Sequence, residues 1–358
     1  MFFKENEALL SEFSRVSRTV GARADYVQGG GGNTSVKLPG GLMAIKASGF
    51  RLKDITPAGA YAVLSYEALR RFYLGRETED FPDVEKAGSE QAKAAVQAIE
   101  GLAPLRPSVE AGFHSLLATF VVHTHSVYAN LAACCTECRE VAAKAFAGAD
   151  YVWGWVPYTD PGANLTFAIR DELRRVEAES GRCPSVILMQ NHGIIVHDDD
   201  PDRCMAIHAD ANRRLALQFG LTANSFPDVR VKEMAGGIWA ADCNYLRERL
   251  RNCVYSYNTF LELPLYPDQM VFLIGSFFMD RDGLNDSECV ASTKTGEMLL
   301  RMDGEKALTL AETLCAVLFV KEHIETSGRV VSTMGEAAKR FIANWESEKY
   351  RKSLAGKK

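Results

Sequence analysis

The chain has 358 residues, 47% hydrophobic and 24% charged, with 41 basic against 46 acidic side chains and a formal charge of −5. That is the composition of a soluble globular protein with length for one large domain or two ordinary ones. The acidic balance argues against a nucleic-acid or anionic-membrane partner, because both need a basic face; a local basic pocket for a phosphorylated small molecule remains compatible with it.

The opening stretch MFFKENEALLSEFSRVSR reads as an amphipathic helix over residues 4–20 rather than a signal peptide, since no long apolar core is followed by small residues. SVKL and LMAIKA read as two strands around the turn PGG at 39–41. YAVLSYEALRRFYL, within 53–75, and residues 85–101 read as helices. In RPSVEAGFHSLLA, Pro107 and Ser108 mark a helix start with Ser108 as N-cap, which places Glu110 and His114 on one face. TFVVHTHSV reads as a strand, ANLAACCTECREVAAKAFA as a helix, and SVILMQNHGIIVHD as a second apolar strand or strand pair interrupted at 191–193. DDDPDRCMAIHADANRRLALQF is a helix capped by Asp200 with Pro201 in its first turn. Beyond SFPDVR the pattern changes: residues 240–262 look helical, LYPDQMVFLIGSFF contains a strand, EMLLRM is another, and 305–348 are mostly helical. A domain boundary is expected near 224–235, giving units 1–228 and 229–358. The alternation of strands and helices in the first part by itself suggests a parallel sheet.

No run of about 18 apolar residues occurs, so no transmembrane helix is expected. The nine cysteines are odd in number and irregular in spacing, as in a cytoplasmic protein with reduced thiols. CCTEC at 134–138 lacks a second pair at zinc spacing and reads as structural.

His123 and His125 are the chemically informative pair. Residues i and i+2 of a strand point the same way, so the two imidazoles project side by side and can share a metal ion. A catalytic zinc site keeps three protein ligands and an open position. His192 in QNHGII is the third candidate, with Gly193 behind it allowing close approach. A buried histidine alone is more often a hydrogen-bonded core residue; the combination of HisXHis, a later apolar-flanked histidine and an upstream glutamate favours a metal. Glu110 can ligate the ion or serve as general base, against the plainer reading of a helix-start acid favoured by the dipole. His197, His208 and His323 read as structural.

QGGGGNTS, Gln28 to Ser35, is neither GxGxxG nor a Walker loop, yet its glycines open backbone N–H groups to an anion. Together with LysAlaSerGly at 46–49 and Ser108 it makes a candidate phosphate pocket, with Lys46 as a source of charge.

In their order along the chain, GGGGNTS, IKASG, RPSVEAGFH, VVHTHS and QNHGIIV resemble the class II aldolase/adducin family, over roughly residues 10–220. Its sugar-phosphate aldolases for fuculose and rhamnulose phosphates are the nearest in chemistry. The resemblance implies an α/β fold, a three-layer αβα domain around a mostly antiparallel sheet; the residues beyond it, outside the family's minimal fold, read from their own pattern as a smaller α+β C-terminal domain. It implies Zn²⁺ (or another divalent transition metal) on His123, His125 and His192, substrate phosphate on Gly32, Asn33, Ser48, Gly49 and Ser108, and Glu110 as catalytic acid or base. Related pentulose-phosphate 4-epimerases usually carry Asp at that place, so Glu110 tilts toward an aldolase. Val109 stands where these aldolases often have a second serine. A proton-donating tyrosine comes from a neighbouring subunit in some members; Tyr151 and Tyr158 are candidates here. The ending FIANWESEKYRKSL is similar to the aldolase part of fused rhamnulose-phosphate aldolase/dehydrogenase chains. The implied activity is cytoplasmic retro-aldol cleavage of a ketose 1-phosphate to dihydroxyacetone phosphate and an aldehyde by a homotetramer. The alternatives are a 4-epimerase or sugar-acid phosphate decarboxylase on the same metal site, and a non-catalytic adducin-like assembly module.

Overall fold

Residues 2–344 are described in a computed structural model of the chain. Seven strands, β1 (Asn33–Leu38), β2 (Leu42–Lys46), β3 (Tyr61–Ser65), β4 (Phe120–Thr124), β5 (Trp153–Val156), β6 (Val186–Met189) and β7 (Gly193–Asp198), form one sheet in the order β3-β2-β1-β4-β7-β6-β5. Every neighbouring pair is antiparallel except β5–β6. The parallel sheet suggested by simple alternation is therefore corrected. Three-residue connections at 39–41 and 190–192 join β1 to β2 and β6 to β7, and so short a link can only make a hairpin. The one parallel pair is the one with a helical crossover, Ala163–Ser180.

Side-chain alternation gives the sheet two covered faces. Val36, Val122, Val186, Leu188, Ile194 and Val196 belong to the largest apolar core, with the helices Glu7–Gly21 and Pro201–Leu217 on that side. Val121, Ile187, Met189 and Ile195 face Phe113, Leu165 and Ile169 on the other. Helices on both faces of a mostly antiparallel sheet make the three-layer α/β architecture. Full burial of each such Val, Leu or Ile is worth roughly 1.5–3 kcal/mol, so it is this two-sided packing that fixes the strand register.

Several sequence expectations shift at their edges. The helix expected over YAVLSYEALRRFYL divides at Ser65: Tyr61–Ser65 is β3 paired to β2, and the helix runs Tyr66–Leu74. Ser65 marks the change, its hydroxyl accepting the Ala68 N–H at 3.3 Å. Ser108 is not an N-cap; the helix starts at Ala111, and the Ser108 hydroxyl takes the Glu110 N–H instead. The stretch from 129 to 147 holds two helices, Val127–Ala133 and Cys138–Ala145, parted where Cys135 pairs with Val331. The cap at Asp200 is as expected, its carboxylate accepting the N–H groups of Asp202 and Arg203.

A second sheet, β8 (Arg230–Glu233), β9 (Ile238–Asp242), β10 (Phe277–Met279), β11 (Glu288–Ala291) and β12 (Met298–Arg301), has the order β10-β11-β12-β9-β8. The helix expected over 240–262 gives way to the end of β9 and two short helices, Asn244–Arg251 and Tyr257–Glu262. In LYPDQMVFLIGSFF the apolar run winds into a π-helical turn, Gln269–Leu273, and a strand begins only at Phe277. Helices Gly304–Thr326 and Glu336–Asn344 follow; residues 345–348 of the expected helix, and most of FIANWESEKYRKSL, lie outside the described residues. The long helix packs on Val127–Ala133, and the largest core runs without a break from the first sheet into the second.

Among the described residues, no helix is long and apolar enough to cross a membrane. The nine cysteines are free thiols. Those of CCTEC are buried and join no metal-ligating group, and burial pushes the Cys135 thiol up to about 11.

His208 lies under Tyr26 with its Nε2 2.8 Å from Thr124 Oγ1. Burial lowers its pKa to about 3 and that of His197 to about 4. A histidine with a depressed folded pKa binds its proton more readily in the unfolded chain. Its share of stability is complete above about pH 6.5 and is lost as pH falls toward the folded value, at about 1.4 kcal/mol per pH unit for each group. Urea unfolding of the metal-free protein should show a midpoint that drops steadily from pH 6.5 to 4. A flat midpoint across that window would contradict the burial of neutral histidines.

Candidate metal centre

The apolar run FVVHT becomes β4 in the middle of the sheet. His123 pairs across the backbone with Asn33 of β1 on one side and Ile195 of β7 on the other. Strand alternation turns Thr124 to His208 and turns His123 to Phe113 on the opposite face. β4 ends at Thr124, so His125 stands just past the strand rather than within it, before Ser126 caps the next helix. The β6–β7 hairpin brings His192 up beside the pair, through Asn191 at φ +48°. The three imidazoles stack mutually edge to face, with centroids 4.9–5.1 Å apart, and one ring nitrogen of each falls within a 4.8 Å group. All three are buried.

Their protonation follows from their partners. His123 Nδ1 is 3.1 Å from the Ile194 carbonyl, which can only accept, so Nδ1 carries the proton. His125 Nδ1 is 2.6 Å from Asp268 Oδ2 and donates likewise. Burial holds the His123 pKa down at about 3 against the pull of Glu110, so the ring is neutral. His123 Nε2 is therefore unprotonated, and it lies 3.1 Å from His125 Nε2. Ligands on a tetrahedral Zn²⁺, bonded at about 2.0–2.1 Å, stand about 3.3–3.4 Å apart, close to this spacing. The donor set thus fits a divalent transition metal, which favours neutral imidazole.

Glu110 completes the cluster. Oε2 is 3.5 Å from His123 Nε2, and Oε1 is 3.3 Å from His192 Nε2 without a well-aligned hydrogen bond. Burial by itself raises this carboxyl's pKa, but His123, His192 and His125 outweigh it and keep it well below the ordinary range. Its position is set from β1: Asn33 Nδ2 donates to Glu110 Oε2 at 2.6 Å and to Ser108 Oγ at 3.1 Å. Asn33 Oδ1 meets His114 Nε2, and His114 Nδ1 lies 2.7 Å from Ser35 Oγ. The i, i+4 spacing of Glu110 and His114 hinted at this relay, in which His114 orients the asparagine.

The other sequence candidates fall nearby. Gly32 precedes Asn33 at φ +66°. The 46–49 segment lies along 106–108 through the Ala47–Pro107 bridge and the Ser108 N–H to the Lys46 carbonyl, with Ser48 N–H donating to Arg106. Gly32, Asn33, Ser48, Gly49 and Ser108 thus lie on three adjoining segments beside Glu110. Lys46 is buried, its ammonium donating to the carbonyls of Phe50 and Gly30. The Tyr151 hydroxyl pairs with Asp210 and that of Tyr158 with Asp160. His197 receives the Ala118 N–H, and His323 packs on Phe319. Asp268, Asn33's bond to Glu110 and the His114 relay were not expected from sequence; only the relay left a spacing signal.

The Class II Aldolase and Adducin N-terminal domain family matches residues 11–219, more than half of the chain, and the protein belongs to that family. Similar solved structures include the N-terminal Class II Aldolase domain of a conserved protein from Thermoplasma acidophilum, at 21% identity and TM-score 0.47, covering 57% of this chain and 90% of that one. An aldolase II superfamily protein from Pseudomonas syringae matches at 14% identity and TM-score 0.43, covering 60% and 75%. The L-fuculose-1-phosphate aldolase of Thermus thermophilus matches at 15% identity and TM-score 0.35, covering 60% and 95%. No curated protein matches significantly.

Gly193 is tightly constrained: a Cβ there would collide with the Thr124 carbonyl and come within 3.2 Å of His125 Cα. Gly193→Ala should cost about 1–3 kcal/mol through overpacking and weaken metal binding by shifting His125. Urea denaturation with metal titration checks both effects; wild-type values for both would contradict the packing described.

Proposed function

We propose that the protein is a zinc-dependent sugar-phosphate aldolase that cleaves a ketose 1-phosphate, such as rhamnulose or fuculose 1-phosphate, to dihydroxyacetone phosphate and an aldehyde. The observation that carries this reading is the convergence of three buried histidines and one glutamate, held well below the ordinary carboxyl range, at a single point. His123, His125 and His192 would hold the ion. Bound Zn²⁺ supplies Lewis-acid stabilisation of the negative charge that develops as the carbon–carbon bond breaks. Cleavage between C3 and C4 removes the proton of the C4 hydroxyl and returns one to C3. Glu110, anchored through Oε2 by Asn33 and with Oε1 free of a strong bond, is the group suited to carry a proton at C3. Gly32, Asn33, Ser48, Gly49 and Ser108 would seat the phosphate, so that binding energy far from the reacting carbons orients them. Burial of the whole cluster keeps bulk water from the reacting atoms. In this reading residues 1–228 form the catalytic unit and 229–358 a second unit, in a cytoplasmic homotetramer.

The test is metal content of the purified protein and release of dihydroxyacetone phosphate from a panel of ketose 1-phosphates. About one zinc per chain is expected, lost in the His123→Ala, His125→Ala double variant. Glu110→Gln should keep the metal and lose cleavage by about 10²–10⁴-fold. Zinc without cleavage of any substrate would overturn the aldolase in favour of the 4-epimerase or decarboxylase. Protein that takes up no zinc even when supplied with it would leave an adducin-like assembly module.

A further inference from the structure

Asp268 lies 143 residues from His125 in sequence, outside the span shared with the family, yet it is the partner of a site histidine. Asp268 is 1% exposed, and its Oδ2 is 2.6 Å from His125 Nδ1. We propose that Asp268 is a positioning residue for the metal centre, contributed by the polypeptide after the family domain, which holds His125 with its proton on Nδ1 and its Nε2 aimed at the ion. This rests on the reading of the three histidines as metal ligands.

Three observations support it. First, the glycine loop makes room for the carboxylate: a Cβ on Gly31 would stand 2.6 Å from Asp268 Oδ2 and 3.1 Å from His125 Nδ1. One glycine of the loop thus serves the approach of an aspartate. Second, the segment bearing Asp268 is fastened to the catalytic hairpin. The Leu265 N–H donates to Gln269 Oε1, while the Leu265 carbonyl accepts from Asn191 Nδ2 at 2.8 Å and from Cys134 Sγ. The Pro264 carbonyl accepts the Met334 N–H. Asn191 directly precedes His192, so the same segment braces two of the three ligands. Third, the site has its own contrast: His192 Nδ1 is buried with no hydrogen-bond partner, so its tautomer is not fixed in this way.

A carboxylate behind a ligating histidine sets the ring's orientation and raises its basicity, and loss of such a partner typically costs 10–100-fold in metal affinity. The same carboxylate is a burden in the metal-free protein. It is a buried carboxyl against an imidazole, and a cation on the ring's far side would offset more of the cost of burying it. A residue that merely fastened the turn would behave in the opposite way, its loss weakening the metal-free fold.

The experiment is Co²⁺ titration by visible absorption, with Zn²⁺ competition, on the full chain stripped of metal, comparing wild type, Asp268→Asn and Asp268→Glu. For Asp268→Asn we expect a fall in affinity of about 10–100-fold, an altered Co²⁺ band, and a metal-free melting temperature equal to or above that of wild type. Asp268→Glu should recover part of the affinity. A folded Asp268→Asn with wild-type affinity and spectrum would overturn the proposal, as would a metal-free melting temperature that falls while affinity holds. Wild type that binds neither ion would sink the metal reading itself. If Asp268→Asn does not fold, ¹⁵N NMR of histidine-labelled, metal-free wild type decides: a His125 proton on Nδ1 supports the proposal, and a proton on Nε2 overturns it.

Discussion

The antiparallel pairing of β4 with β7 is the constraint on which the site depends. It sets His123 opposite Ile195 and delivers the Ile194 carbonyl to His123 Nδ1. One backbone register thereby decides which nitrogen of a buried imidazole keeps its proton. On the other flank β1 pairs with β4, which sets Asn33 opposite His123 and within reach of Glu110. The hairpin turn that leads into β7 carries His192. A one-residue slip would turn every one of these side chains to the other face, and the apolar packing on both sides of the sheet forbids the slip.

Charge explains why so polar a cluster sits in such a dry place. Two buried carboxylates, Glu110 and Asp268, flank three buried imidazoles. The surrounding imidazoles favour the ionised form of Glu110, yet burying two carboxyls in one cluster remains costly without a cation. A divalent cation at the ring nitrogens would balance both at once, at the point where His123 Nε2 and His125 Nε2 lie 3.1 Å apart. The arrangement is costly as a scaffold and reasonable as a site, the usual sign that a local rule of folding has been broken for function.

The parts of this picture that were legible in the sequence are those that obey short-range periodicity. HisXHis in a β-branched run pointed to the shared face, the apolar-flanked histidine of NHG to the third ligand, and AspPro to the cap of the helix at 201; that NHG turns a hairpin rather than interrupting one strand came from the structure. What escaped had long-range causes. The helix read through YAVLSYEALRRFYL failed at Ser65 because pairing with β2 overrode the local preference of YAVLS. The strand expected in LYPDQMVFLIGSFF is present only at its end, from Phe277, because the apolar run before it packs as a turn of helix. Sheet direction turned on which links were hairpins. Asp268 was invisible, since no spacing rule connects a carboxylate to a histidine 143 residues away. Even the glycine loop, read as an anion cradle, meets at Gly31 an aspartate of the same chain.

The central claim is that these three histidines hold a metal ion. X-ray absorption spectroscopy at the zinc edge of the loaded protein tests it most directly, because it reads donor atoms rather than affinity or turnover. The account predicts a first shell containing three imidazole nitrogens at about 2.0–2.1 Å, the remainder oxygen. A shell with sulfur at about 2.3 Å would assign the metal to cysteines such as those of CCTEC and contradict it.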